Sequence, residues 1–136
     1  MPLMADIIRT GTMDIRVRYV DCDPMGVVHH SVYPVWLEMG RTELLRETGT
    51  TYREMEEAGA LLAVIELCVK YRQPAKYDDL LQLTTEWHDS GRVKIRHVYT
   101  LKRGDDVLAT AETTLACIGP DGRPQPLPEL LQSPNV

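Results

Sequence analysis

The stretch VDCDPMGVVHHSVY, from Val20 to Tyr33, decides how the rest of this chain folds. Asp23 precedes a proline, and a residue in that position is pushed away from helical geometry, so a turn is expected there. Ser31 is a good N-cap, and Pro34 suits the first turn of a helix, where a missing N–H costs little. The spacing therefore predicts a helix that runs from Ser31 to about Thr48.

The start of this helix is suited to chemistry on a carbonyl group. The first four N–H groups of a helix have no partner within it, and the helix dipole makes this end partly positive. Such an end can hold a carbonyl oxygen on which negative charge develops. A carboxylate on the approach, here Asp23, would be half of a hydrolytic site. An Asp before proline is also a common turn former, so both interpretations stay open.

The first two turns of the helix carry apolar residues almost all round, which predicts that this half is enclosed: Val32, Tyr33, Val35, Trp36, Leu37, Met39 and Gly40. Glu38 falls within that half, so its carboxylate should be paired, and Arg41 at i+3 is within reach. Glu38 is a candidate either for a structural ion pair or for positioning a water or histidine. Residues 41–47 are expected to face solvent, and Gly49 to end the helix as its C′ residue.

Composition limits the possible functions. The chain has 136 residues, 43% of them hydrophobic, which predicts one domain over 1–136 with an extended tail over 118–136. The net charge of −5 argues against nonspecific nucleic-acid binding, which draws on a broad basic surface. No stretch approaches the roughly 20 apolar residues of a membrane span, and no signal peptide is recognisable, so a cytoplasmic protein without membrane insertion is expected.

Neither the cysteines nor the histidines predict a metal site. Three widely spaced cysteines without CxxC spacing indicate free thiols, and Cys22 lies between two aspartates that disfavour a reactive thiolate. His29 and His30 with Asp21 and Asp23 include good zinc or iron ligands. Adjacent histidines on an extended segment should point apart, however, and no third ligand has a recognisable spacing. No metal is therefore expected.

Alternating apolar and polar residues predict five strands, and a short helical segment over 50–59 precedes four of them. The strands are expected at Met13–Tyr19, Leu61–Tyr71, Leu81–Trp87, Val93–Leu101 and Val107–Cys117, with one further turn near 129–132. Short connections join the last three strands, which predicts an antiparallel meander. One apolar helix and one sheet bury their apolar faces if the sheet wraps the helix, so the fold class is α+β.

Two stretches resemble a known family. The first is Val17–Tyr33 with Trp36, Leu37 and Glu38, and the second is Tyr71–Leu80. Both are similar to hotdog-fold acyl-CoA thioesterases of the 4-hydroxybenzoyl-CoA thioesterase and YbgC-like group. The resemblance, with the matching order of elements, covers nearly the whole chain. It implies a hotdog fold and hydrolysis of an acyl-CoA without any cofactor, since coenzyme A is part of the substrate.

The resemblance also implies roles for particular residues. The second Asp of the family's D-x-D motif is the catalytic carboxylate, which corresponds to Asp23, acting as a nucleophile or as a general base. The residue just before the helix gives a backbone N–H to the thioester carbonyl, which corresponds to His30. Many members carry Asn or Tyr at that position, so a role for the histidine side chain stays open. Members pair two sheets, many assemble further into tetramers, and each active site is built at a subunit boundary. The long strand Leu61–Tyr71 is the expected joining edge.

Substrate binding needs cations, because coenzyme A carries several phosphate charges. Ser90, Gly91 and Arg92, at the turn into a strand, are the first candidates, although Arg92 by default belongs to a solvated strand face. Arg72 is a weaker candidate, as is Lys76. Beside the predicted helix start, Val28 and Tyr33 complete the substrate-binding set, with Tyr33 favoured as a core residue.

Two other functions stay open at this point. An enoyl-thioester hydratase or dehydratase on the same fold would use Asp and His for proton transfer, but its local motif is not found. A non-catalytic acyl-thioester-binding protein is the second alternative, and the presence of Asp23 argues against it.

Overall fold

The computed structural model describes residues 7–132, so residues 1–6 and the last four residues of the predicted tail lie outside it. The elements follow the predicted order. They are β1 (Ile7–Arg16), a 3-10 turn (Tyr19–Asp21), α1 (Val32–Arg46), α2 (Tyr52–Glu57), β2 (Leu61–Tyr71), β3 (Leu80–His88), β4 (Lys94–Arg103), β5 (Asp106–Ile118) and a 3-10 turn (Glu129–Leu131).

The five strands form one antiparallel sheet in the order β1-β3-β4-β5-β2. The meander β3-β4-β5 is confirmed, and β1 and β2 form the two edges. α1 packs against β1 and β3. Its Gly40 allows the close approach, because a Cβ there would lie 2.5 Å from Thr85 Oγ1 and 2.7 Å from Leu83 Cδ2. The α+β class with one long central helix is therefore confirmed.

Two apolar clusters fill the space between helix and sheet. The first surrounds the beginning of α1 and includes Tyr33, Trp36, Leu37, Leu83, Tyr99 and Ala111. The second surrounds the end of α1, where α2 and the tail close over it, and includes Leu44, Leu45, Met55, Trp87, Leu127 and Leu131. Because Leu127 and Leu131 lie in the second cluster, the described part of the tail packs into the core.

The solvent exposure predicted for α1 was wrong in both halves of the helix. Val35, Glu38 and Met39 of the first half are exposed, and Arg41, Leu44 and Leu45 of the second half are buried. Glu38 is not enclosed, because 72% of its side chain is exposed. Arg41 is the buried partner, with its Nη2 3.8 Å from Glu38 Oε2. Leu44 and Leu45, which were expected near solvent, are buried because α2 and the tail cover this half of the helix.

The ends of α1 also differ slightly from expectation. The helix ends at Arg46 rather than near Thr48, with Glu47 as its C-cap. Gly49 has a φ of 95° and donates its N–H to the Arg46 carbonyl, so it lies one position beyond the predicted C′. Ser31 precedes the helix as predicted, but its side chain makes no capping bond.

A bulge in β2 changes which residues face the helix. The pairing with β5 shifts between Val64 and Glu66, so Ile65 is the extra residue. Leu62 and Val64 lie opposite the buried Cys117 and Leu115, so the first half of β2 turns these two residues inward. Unbroken alternation over Leu61–Tyr71 would instead predict that Leu61, Ala63 and Ile65 face inward. That prediction is wrong, because a one-residue insertion exchanges the two faces of a strand.

Candidate active site

A tight hairpin carries the Asp23 motif. The Asp23 N–H donates to the Val27 carbonyl at 2.9 Å, and the His29 N–H donates to the Asp21 carbonyl at 2.9 Å. Gly26 adopts a φ of 81°, which a glycine tolerates without strain. One arm of this hairpin holds the aspartates and the other leads directly into α1, so the fold joins the two halves of the predicted hydrolytic site.

The structure distinguishes the two aspartates of the motif. Asp21 is 3% exposed, and its carboxylate accepts bonds from the Arg18 backbone N–H at 2.8 Å and from the Arg18 guanidinium at 3.0 Å. This pairing raises the pKa of Arg18. The Asp21 carboxylate is thus occupied in holding the 3-10 turn together.

Asp23 is half-buried and remains more open than Asp21. Its Oδ1 accepts the Met25 N–H at 2.8 Å, which is the turn-forming role expected of an Asp before proline. Its Oδ2 makes no hydrogen bond to any residue in 7–132. The turn therefore orients the carboxylate through one oxygen and leaves the other available.

The segment before α1 is organised by His29. Its Nδ1 accepts the Ser31 backbone N–H at 3.1 Å and lies 2.7 Å from Ser31 Oγ, which explains why this serine does not cap the helix. Because Nδ1 accepts the N–H bond, the ring proton belongs on Nε2. The rings of His29 and His30 stack with centroids 4.1 Å apart, so the expectation that adjacent histidines point apart was wrong.

The backbone N–H of His30 is the free donor at this corner. It makes no hydrogen bond within the described part of the chain, whereas the neighbouring Ser31 and Val32 N–H groups are bonded to His29. His30 also lines an open cleft of about 280 Å³. An unpaired N–H beside a cleft can donate to a ligand oxygen.

This cleft brings together four of the predicted site residues, Val28, His30, Tyr33 and Arg72. It is completed by Val27, Tyr71, Gln73 and Pro74. Its two walls are joined by the bond from the Val28 N–H to the Ala75 carbonyl at 2.8 Å. The sequence placed residues 71–80 within a shared family stretch but gave Tyr71 no role, since a tyrosine ending an apolar strand is not distinguishable from a core residue. Tyr33 is buried, and this burial raises the pKa of its phenol.

Ser90, Gly91 and Arg92 lie elsewhere in the chain. In the β1–β3 pair, Arg16 lies opposite Leu80 and Ile7 lies opposite His88. The Asp23 hairpin, which comes after β1, is therefore near the Leu80 end of β3, whereas the turn at 89–93 is at the His88 end. The nine residues of β3 separate these ends by roughly 26 Å. Within one chain, the structure does not bring these three residues to the cleft.

The Ser90–Arg92 turn is ordered by its own contacts. Ser90 Oγ donates to the His88 carbonyl at 2.8 Å and accepts the Arg96 N–H at 2.9 Å, and Gly91 has a φ of 95°. The Arg92 side chain is exposed, as expected for a solvated strand face. Lys76 is exposed. It lies beside the cleft, because its backbone pairs with Val27, which lines the cleft.

The remaining features of the described residues are the cysteines and the absence among them of a metal site or a membrane-spanning helix. Cys22, Cys68 and Cys117 are unpaired, and Cys22 is half-buried with its Sγ 3.8 Å from the Arg18 carbonyl. Within residues 7–132, no three His, Cys, Asp or Glu side chains cluster closely enough to hold a metal ion. No helix in the same range is long and apolar enough to cross a membrane.

Comparison with known proteins decides the family. A family described as the thioesterase-like superfamily matches residues 17–134, which is most of the chain. The chain belongs to the thioesterase-like superfamily. The acyl-CoA thioesterase YbgC of Haemophilus influenzae is a 35% identical relative over 105 residues, which are 76% of this chain and 77% of that protein.

Further similarities agree with this assignment. A putative acyl-CoA thioesterase of Bacillus subtilis, YneP, is 36% identical over 86 residues, but the match spans only 63% of this thioesterase and 62% of YneP. The crystal structure of a probable thioesterase from Bartonella henselae superposes with a TM-score of 0.83 at 28% identity, over 88% of this chain and 100% of the other. The hotdog fold implied by the sequence resemblance is confirmed.

Proposed function

We propose that this thioesterase hydrolyses an acyl-CoA to the free acid and coenzyme A, with Asp23 and the His30 backbone as the reacting centre. The observation that carries the proposal is the hairpin. It sets an oriented carboxylate with one free oxygen on one arm, and an unpaired N–H at a helix start on the other. A carboxylate that attacks or activates water and a donor for the carbonyl oxygen are what thioester hydrolysis requires.

Two routes use the same residues. In the first, the free Asp23 oxygen attacks the thioester carbon, the C–S bond breaks, the thiolate of coenzyme A leaves, and water then cleaves the acyl anhydride to restore the carboxylate. In the second, Asp23 takes a proton from a water molecule that attacks the carbonyl directly. In both routes negative charge develops on the carbonyl oxygen, which the His30 N–H and the positive end of α1 stabilise. A single turnover in H₂¹⁸O would distinguish the two. The second route always places ¹⁸O in the product acid, whereas attack of water on the Asp23 side of the anhydride places it in the enzyme carboxylate.

We propose that the working unit is at least a dimer joined along β2. The inward face of this edge strand leaves Val64 and Leu67 about half exposed, and Val35 and Met39 on α1 are exposed as well. An open edge with an apolar face is a natural site for pairing with a second chain. Residues from β2 of the partner would then complete the site around Asp23.

Such a dimer would also explain the position of Ser90, Gly91 and Arg92. A two-fold axis on β2 sets the Leu61 end of one strand beside the Tyr71 end of the other. Leu61 pairs with Ile118, and the Cys117 N–H bonds the Val93 carbonyl, so the turn at 90–92 belongs to the Leu61 end. Each cleft, with Arg72 at its rim, would therefore receive the Ser90–Arg92 turn of the partner as a second source of positive charge for the phosphates. We also propose that the protein acts in the cytoplasm, because unpaired cysteines and a coenzyme A thioester substrate fit that compartment.

The first test is release of free thiol from a panel of acyl-CoAs, together with Asp23→Asn. Asn keeps the oxygen that accepts the Met25 N–H, so the turn should survive, but it is neither nucleophile nor base. We expect kcat to fall by about 10²- to 10⁴-fold with KM little changed. Asp14→Asn, on an exposed position of β1, is the matched control and should retain full activity.

A variant that kept more than about a tenth of the wild-type kcat would refute the role of Asp23. The same panel separates the alternative functions. A hydratase would change the absorbance of an enoyl-CoA without releasing thiol, and a binding protein would retain acyl-CoA without either reaction.

A further inference from the structure

Tyr71 makes a contact that the reaction just proposed does not use. It is the last residue of β2, and its hydroxyl donates to the His30 carbonyl at 3.1 Å, across 41 positions of sequence. Its ring meets the Tyr33 ring edge to face, with centroids 4.9 Å apart. Both rings line the cleft beside His30, so the edge strand is tied to the backbone just before α1.

This hydrogen bond acts on His30, which lines the cleft and has an unpaired N–H among the described residues. The His30 N–H shares a peptide plane with the His29 carbonyl, which the Val32 N–H already holds at 3.0 Å. The His30 carbonyl belongs to the next peptide plane, and it carries partial negative charge. An unpaired carbonyl turned toward the cleft would repel the negative charge that develops on a thioester oxygen. A hydroxyl bonded to that carbonyl both fixes its direction and offsets part of its charge. Desolvation raises the pKa of Tyr71, so its hydroxyl remains a donor at neutral pH.

We propose that Tyr71 is a positioning residue for thioester hydrolysis, which holds the His30 carbonyl in place and offsets its negative charge beside the His30 N–H, where the substrate oxygen would bind. The proposal rests on the proposed function, because it assumes that this N–H receives the developing charge. It assigns Tyr71 no direct contact with the reacting atoms. Since Tyr71 ends the strand that is expected to join two chains, it would also connect assembly to the geometry of the site.

The test is Tyr71→Phe, which removes the hydroxyl and keeps the ring against Tyr33. The matched control is Tyr77→Phe, which removes a hydroxyl from another exposed tyrosine that packs on Tyr19 and does not contact His30. One hydrogen bond of this kind predicts a loss in kcat of about two- to tenfold for Tyr71→Phe, with KM within about twofold. The control should equal the wild type.

The affinities for two coenzyme A analogues that are not hydrolysed separate the proposed role from a purely structural one, which would not change their ratio. A coenzyme A trifluoromethyl ketone places an oxyanion at the donor site, whereas a coenzyme A thioether has no carbonyl. Tyr71→Phe should lower the affinity for the ketone by the same factor as it lowers kcat, and it should leave the affinity for the thioether unchanged. Equal weakening of both ligands, or a Tyr71→Phe variant equal to Tyr77→Phe, would overturn the proposal.

The outcome for the proposed function is read separately. If the wild type releases thiol, Asp23→Asn does not, and Tyr71→Phe keeps full activity, only the role of Tyr71 is overturned. If the wild type releases no thiol from any acyl-CoA, the proposed function fails and the role of Tyr71 fails with it.

Discussion

Replacement of His97 should make the stability of this thioesterase less sensitive to acid. His97 lies on β4, is 2% exposed, and turns its ring into the second apolar cluster. Its Nδ1 makes no hydrogen bond to any described residue. Burial lowers the pKa of His97 to about 3, with the charges of Arg41 on α1 and of His88 on β3 adding to the effect. The native state therefore holds this imidazole neutral.

The size of the effect follows from the two states of the ring. An unfolded chain takes up a proton at an ordinary histidine pKa of about 6.5, whereas the folded chain does not do so until the pH approaches 3. Between these limits the unfolded state binds one more proton, so the free energy of unfolding falls by about 1.4 kcal/mol for each pH unit of acidification. From pH 7.5 to 5.0 this single group should remove about 2 kcal/mol.

The assay is urea unfolding of the wild type and His97→Leu at pH 7.5 and 5.0, at one protein concentration, followed by the fluorescence of Trp36 and Trp87. Carboxylates titrate in both proteins and cancel in the comparison. We expect the acid loss of His97→Leu to be smaller than that of the wild type by about 2 kcal/mol. Tyr52 and Tyr99, which also face this region, stay protonated at both pH values because burial raises the pKa of each. Equal acid losses in the two proteins would refute the reasoning.

Two further predictions concern the substrate and the assembly. Arg92→Ala should weaken the binding of acyl-CoA more than that of the pantetheine thioester with the same acyl group, because pantetheine lacks the nucleotide phosphates. An equal rise in KM for both substrates would show that Arg92 is only a solvated surface residue. On dilution, activity should fall together with the mass measured by light scattering. Leu67→Asp on the joining edge should lower both the activity and the mass, whereas Thr12→Asp on the opposite edge β1 should change neither. An active monomer at assay concentration would contradict the dimer and would require the whole site within one chain.

Local pattern in the sequence was enough to predict the order of elements, the meander and the turn at Asp23. These features depend on neighbours a few positions apart: the alternation of β3, β4 and β5, the proline after Asp23, and the apolar turns that begin α1. The short helix α2 was predicted for the same reason, and Thr51 caps it by accepting the Glu54 N–H. Such signals survive in the sequence because the physics that produces them is local.

Tertiary contacts decided the rest. Arg41 rather than Glu38 is buried because α2 and the tail, distant in sequence, cover the second half of α1. The bulge at Ile65 is set by pairing with β5, which the alternation of β2 alone cannot reveal. The sequence singled out Asp23, but only the folded chain shows that Asp21 is paired with Arg18 and that one oxygen of Asp23 stays open. Periodicity and turn signals do not encode these partners. The sequence therefore determined which groups are present, and packing determined which of them are free to react.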